Sequence, residues 1–117
     1  MNVKFNKNVP VLPIFLGKDK IKGETEYIND IIESGFEGAF ISIIPNDNDY
    51  TTRSEILLYY YSNIEERYIS TYCLKYYNKL TNKTHEHYED IHGKIITERD
   101  FNYSCFLLNK QYEHINN

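Results

Sequence analysis

Tryptophan is absent from this chain, and cysteine occurs only twice, as Cys73 and Cys105. Two thiols without a CxxC pair make no disulfide framework and no zinc-ribbon ligand set. The expectation is two free, partly buried thiols in a reducing compartment. No apolar run approaches the ~20 residues needed to cross a bilayer, so no membrane partner is expected. The opening MNVKFNKNVPVLPIFLG places Lys4 and Lys7 before a short apolar run, but Pro10 and Pro13 interrupt it. It reads as mature, cytoplasmic protein rather than a secretory leader. Without secretion, Asn82-Lys83-Thr84 and Asn102-Tyr103-Ser104 are chance sequons.

Cations are also in deficit. Thirteen Lys and Arg face 17 Asp and Glu, for a net charge of −4. Nonspecific nucleic-acid binding rests on cations neutralising phosphates, so this balance speaks against it. The glycine-rich phosphate loops GxGxxG and GxxxxGK[ST], the nucleophile elbow GxSxG and the zinc motif HExxH are all missing. The sequence favours a non-enzymatic protein without a cofactor.

What the chain has in plenty is tyrosine, 12 in 117 residues. That length suits one domain with a core of its own, spanning residues 1–117. Ser54 to Leu80 holds seven of the tyrosines and no glycine or proline. As a strand, its first part would turn Glu55, Leu57, Tyr59 and Tyr61 one way and Ile56, Leu58 and Tyr60 the other. The second part supports two readings. Asn63 and Glu66 have capping-box spacing, and Ile69, Tyr72, Cys73, Tyr76 and Leu80 recur at threes and fours. Those features predict a helix over about 64–80. The β-rich run Tyr68-Ile69-Ser70-Thr71-Tyr72 keeps a long β-hairpin as the alternative.

Around this stretch the elements follow in order. Val9 to Leu16 reads as a first strand, irregular or at an edge because of its prolines. A helix capped by Thr25 carries Tyr27, Ile28, Ile31 and Ile32 and stops at Ser34-Gly35. Ala39 to Ile44 is a continuous apolar run, as in a strand covered on both faces. Together these make a βαβ-like N-terminal half. After Leu80, TNKTHEHYEDIHG reads as a polar loop, and Lys94-Ile95-Ile96 as a short strand. Thr97 then caps a helix over 98–115, with Phe101, Cys105, Leu108, Tyr112 and Ile115 on one stripe. The fold expected is α+β.

Four groups of residues are candidates for chemistry. Tyr59, Tyr60, Tyr61, Tyr76 and Tyr77 cannot all be buried, because neighbouring residues point to different sides. With Glu65 and Glu66 at the rim they would form a partner-binding surface, since tyrosine gives large contact area at low entropy cost. Bases stacking on those rings is a fainter alternative. Lys18, Lys20 and Lys22, in a loop before the helix start at Thr25, form a candidate anion site. Asp47 and Asp49 begin a loop that resembles a calcium loop and then departs from it, with Thr52 in place of the turn glycine. His85, His87 and His92 are candidate metal ligands together with Asp47 and Asp49, though their spacing matches no strong signature.

The functional expectation is a small protein-binding module of inhibitor or immunity type, of viral or mobile-element character. It would block a protein target through a tyrosine-rich surface, which would serve equally well for a homodimer. The alternative from another class is a binder or hydrolase of nucleotides or other phosphorylated small molecules, using the loops at 17–24 and 45–52.

Overall fold

The computed structural model describes residues 3–13, 30, 32–45, 51–90 and 92–113, with the backbone alone described for 13, 42–45 and 51–53. The fold is α+β: a five-stranded mixed sheet in one compact domain, with a C-terminal helix across one face. Strands β1 (Val11–Pro13), β2 (Gly38–Pro45), β3 (Thr51–Ser62), β4 (Arg67–Asn78) and β5 (Lys83–Asp90) lie side by side in sequence order. The helix α1 spans Glu98–Gln111.

The βαβ-like expectation holds in its strands. β1 runs parallel to β2, with Val11 opposite Ala39, while every other pair is antiparallel. The pairing depends on Gly38, whose φ of 148° and close approach to the Pro10 carbonyl leave no room for a Cβ. Of the helix expected between the two strands, Asp30, Ile32 and Glu33 are helical, and the chain leaves it through Gly35 at φ 86°. Thr25 and its neighbours lie outside the described residues.

The Tyr-rich stretch is a long hairpin, so the helix over 64–80 does not form. β3 and β4 pair over 12 positions, from Thr51↔Asn78 to Ser62↔Arg67. Burial along β4 alternates at Ile69, Thr71 and Cys73, which face α1, with Ser70 and Tyr72 turned away. A helix would need Ile69, Tyr72, Cys73, Tyr76 and Leu80 on one side. The sheet instead sends Ile69 and Cys73 to one face and Tyr72 to the other, and leaves Leu80 70% exposed in a turn. β-Branched and aromatic side chains buried on both faces outweigh helical spacing here.

Two four-residue turns built alike set the register. In the first, Ser62 accepts the Glu65 N–H on its Oγ and the Glu66 N–H on its carbonyl, and Glu66 sits at φ 55°. In the second, Asn78 Oδ1 accepts the Leu80 and Thr81 N–H groups, and Asn82 sits at φ 53°. Asn63 therefore sits inside a turn rather than capping a helix.

β5 replaces the loop expected at 81–93, and Lys94–Ile96 adds only a bridge between Ile95 and Glu89 to its outer edge. α1 matches its expected start. The Thr97 hydroxyl accepts the Asp100 N–H at 3.1 Å and the Asp100 carboxylate accepts the Thr97 N–H at 3.1 Å. Phe101, Cys105 and Leu108 of the expected stripe are buried, joined by Leu107. The last turn ends at Gln111, with Tyr112 as cap, short of the predicted 115.

The main core lies between α1 and one sheet face, and gathers Ile56, Leu58, Tyr60, Ile69, Cys73, Tyr88, Phe101, Cys105, Leu107 and Leu108. On the opposite face Phe40 and Leu57 form a second, smaller cluster, with Leu12, Phe36, Tyr59 and Tyr72 against it. Among the described residues, no helix is long and apolar enough to cross a membrane.

Candidate functional site

The tyrosines divide between interior and surface by strand alternation. Tyr60 is fully buried, and its hydroxyl donates to the Ser104 carbonyl at 2.6 Å. Burial raises its pKa well above the ordinary phenol value. Tyr60 is thus a core residue, and the expectation that it meets a partner is corrected. Its neighbours Tyr59 and Tyr61 point to the second face, as the alternation requires.

There they meet Tyr68, which crosses from β4 opposite Tyr61. Tyr59 and Tyr68 stack with ring centroids 5.4 Å apart, and Tyr61 meets Tyr68 edge-on at 5.2 Å. Tyr61 is 40% exposed and Tyr68 53%. Beside them stands Glu37, one residue before β2. β2 ends level with Tyr59, so the Tyr61 N–H lies past its last main-chain partner. The Glu37 carboxylate takes that place, accepting the N–H at 2.7 Å. Its charge is the largest influence raising the Tyr68 pKa, with smaller contributions from desolvation and the neighbouring rings.

Glu65 and Glu66 are exposed in the adjoining turn. The Glu65 carboxylate accepts the Tyr103 hydroxyl at 2.8 Å, which holds the turn against α1 and raises the Tyr103 pKa. Tyr103 in turn stacks on Phe106, 57% exposed, at 6.4 Å. Gln111 secures the same end, donating to the Tyr61 carbonyl and accepting the Asn63 N–H.

Tyr76 and Tyr77 belong to a different place. Tyr76 lies eight positions from Tyr68 along β4, about 26 Å at the strand rise, near His85 and the second turn. Tyr77, 37% exposed, donates to Asn82 Oδ1 at 3.0 Å. The expected single surface therefore separates into two ends of one hairpin, with the denser cluster at the Glu37 end.

Two of the three candidate histidines share a strand. His85 and His87 occupy one face of β5, and His87 Nε2 contacts Glu89 Oε2 at 3.0 Å. His92 lies beyond the strand, in the turn held by Asp90. Among the described residues no group of three His, Cys, Asp or Glu side chains is placed to hold a metal ion. Lys18, Lys20, Lys22, Thr25, Asp47 and Asp49 all lie outside the described residues.

One cleft escaped the sequence reading. A cavity of about 450 Å³ opens between α1 and β4–β5 beside Val3 and Lys4, with Cys73, Cys105, Tyr88 and Phe101 among its walls. Burial pushes the Cys73 thiol up to about 11 and the Cys105 thiol up to about 12, so both are protonated at neutral pH. Desolvation, helped by Cys73 and Glu86, also raises the Tyr88 pKa. Such groups make an apolar wall rather than a nucleophilic centre.

Tyr68 and Glu37 were also missed. Tyr68 could have been found by pairing 54–62 with 67–78 as a hairpin, which puts Tyr59, Tyr61 and Tyr68 on one face. Nothing in the local sequence marks Glu37. No protein-family model, no curated protein and no solved structure matches this chain.

Proposed function

We propose that this protein is a small non-enzymatic binding module of inhibitor or immunity type, and that it holds a protein target through Tyr59, Tyr61 and Tyr68. The observation that carries the reading is the packed ring trio beside Glu37, in which Tyr61 and Tyr68 are half-exposed and Tyr59 backs Tyr68 from the second core cluster. Tyrosine rings already packed against one another lose little further entropy on binding, and their hydroxyls offer hydrogen bonds at the rim. Around them the framework is stiff, with 12 paired positions in the hairpin and α1 tied to its turn through Tyr103 and Gln111. Both thiols are buried and protonated, which fits a binder better than a thiol enzyme.

The test is affinity capture from native lysate with wild type beside a Tyr61→Ser plus Tyr68→Ser variant that circular dichroism shows to be folded at the capture temperature. A protein retained at fixed stoichiometry by wild type and lost by the variant supports the reading. Equal retention by both overturns it.

A further inference from the structure

The tyrosine trio carries a charge of one sign. Glu37 is bonded to the N–H of Tyr61, which pairs with Tyr68 across the hairpin, and its charge raises the Tyr68 pKa more than any other influence does. The Tyr68 ring is backed by Tyr59 and flanked by Tyr61, which leaves about half of it open. A ring face is electrostatically negative, and a carboxylate beside it deepens that potential. The chain as a whole adds a net charge of −4.

Resting on the reading of this cluster as a protein-contact surface, we infer that the group it takes from the partner is an arginine side chain, stacked on Tyr68 and paired with Glu37. A guanidinium is planar, weakly hydrated and forked. It can lie on a ring and donate to a carboxylate at once, whereas a lysine ammonium is a compact, strongly hydrated point charge. The Glu37 carboxylate accepts one hydrogen bond, from the Tyr61 N–H, and has lone pairs left for more. A nucleic acid would bring phosphates toward that carboxylate, and its bases stack where a basic groove guides the backbone. The long-range field of an acidic chain likewise draws in a cationic segment.

The experiment uses the whole chain at low ionic strength and a capped, labelled hexa-arginine peptide, read by fluorescence polarisation. Capped hexa-lysine and a ten-nucleotide oligothymidylate are the comparators. Three variants are titrated: Tyr68→Leu, Glu37→Gln, and Glu98→Gln as a charge-matched control at the start of α1. Exposed cation–π contacts predict roughly two- to five-fold weaker hexa-arginine binding in Tyr68→Leu. A comparable loss is expected in Glu37→Gln, with no change in Glu98→Gln and weaker binding of hexa-lysine to wild type. Equal weakening by Glu98→Gln, tighter binding of oligothymidylate, or no peptide binding at all overturns the inference. If a captured protein partner depends on Tyr61 and Tyr68 but is held equally by Glu37→Gln, the arginine inference falls while the binding surface stands. A partner indifferent to both tyrosines removes the surface itself.

Discussion

Tyr60 of β3 donates its hydroxyl to the main-chain carbonyl of Ser104 in α1, at 2.6 Å and out of contact with solvent. This bond ties the helix to the central hairpin. Tyr60→Phe should cost about 1–2 kcal/mol and Tyr60→Ala about 3–5 kcal/mol of unfolding free energy. Tyr61→Ser and Tyr68→Ser, at half-exposed positions, should each cost about 1 kcal/mol or less. Urea denaturation of the four variants separates the core tyrosine from its surface neighbours.

The buried thiols predict a chemical silence. With pKa values near 11 and 12, on the order of one Cys73 in a thousand is thiolate at pH 8, and fewer of Cys105. Ellman's reagent at pH 8 should titrate no thiol in the native protein and two after denaturation. Because the folded values lie above the ordinary thiol value of 9.0, stability is intact below about pH 9 and declines as pH rises toward 11 and 12. Melting temperatures from pH 8 to 11 should fall, less steeply in a Cys73→Ala plus Cys105→Ala variant.

Gly38 and Glu66 make opposite predictions about the backbone. A side chain at Gly38 meets the Pro10 carbonyl, so Gly38→Ala should destabilise by more than about 1 kcal/mol and expose β1 to hydrogen exchange. Glu66 holds a left-handed conformation that glycine adopts without strain, so Glu66→Gly should be neutral or stabilising by up to about 1 kcal/mol. Denaturation midpoints of the two variants check both signs.

Thr97 closes the capping box of α1. Thr97→Ala should cost about 1 kcal/mol, seen as a lower midpoint in urea with an unchanged slope.

Much of this architecture is written in local chemistry. Thr97 and Asp100 announce α1, and the apolar run from Ala39 announces β2. The alternation of Glu55, Leu57, Tyr59 and Tyr61 against Ile56, Leu58 and Tyr60 is the alternation observed. The second half of the hairpin was less legible, because Asn63 and Glu66 imitate a helix start and the apolar residues of β4 fall by chance at threes and fours. What decides between them is burial on two faces, a property of the assembled sheet. The turn signals were present, however. Ser62 and Asn78 occupy equivalent turn-initiating positions, each followed four residues later by a left-handed residue. β5 hid for a related reason: at an edge its side chains are mostly exposed, and a charged exposed strand reads as a loop. Glu37 joins Tyr61 and Tyr68 across 24 residues or more, a relationship no local pattern encodes.

Tyr61 and Tyr68 are the centre of the proposed contact surface. The direct measurement is the amount of partner retained from native lysate by wild type, by Tyr61→Ser plus Tyr68→Ser, and by Tyr77→Ser at the far end of the hairpin. The prediction is one protein held at fixed stoichiometry by wild type and Tyr77→Ser, and lost from the double variant. Retention by all three, or loss with Tyr77→Ser alone, would contradict it.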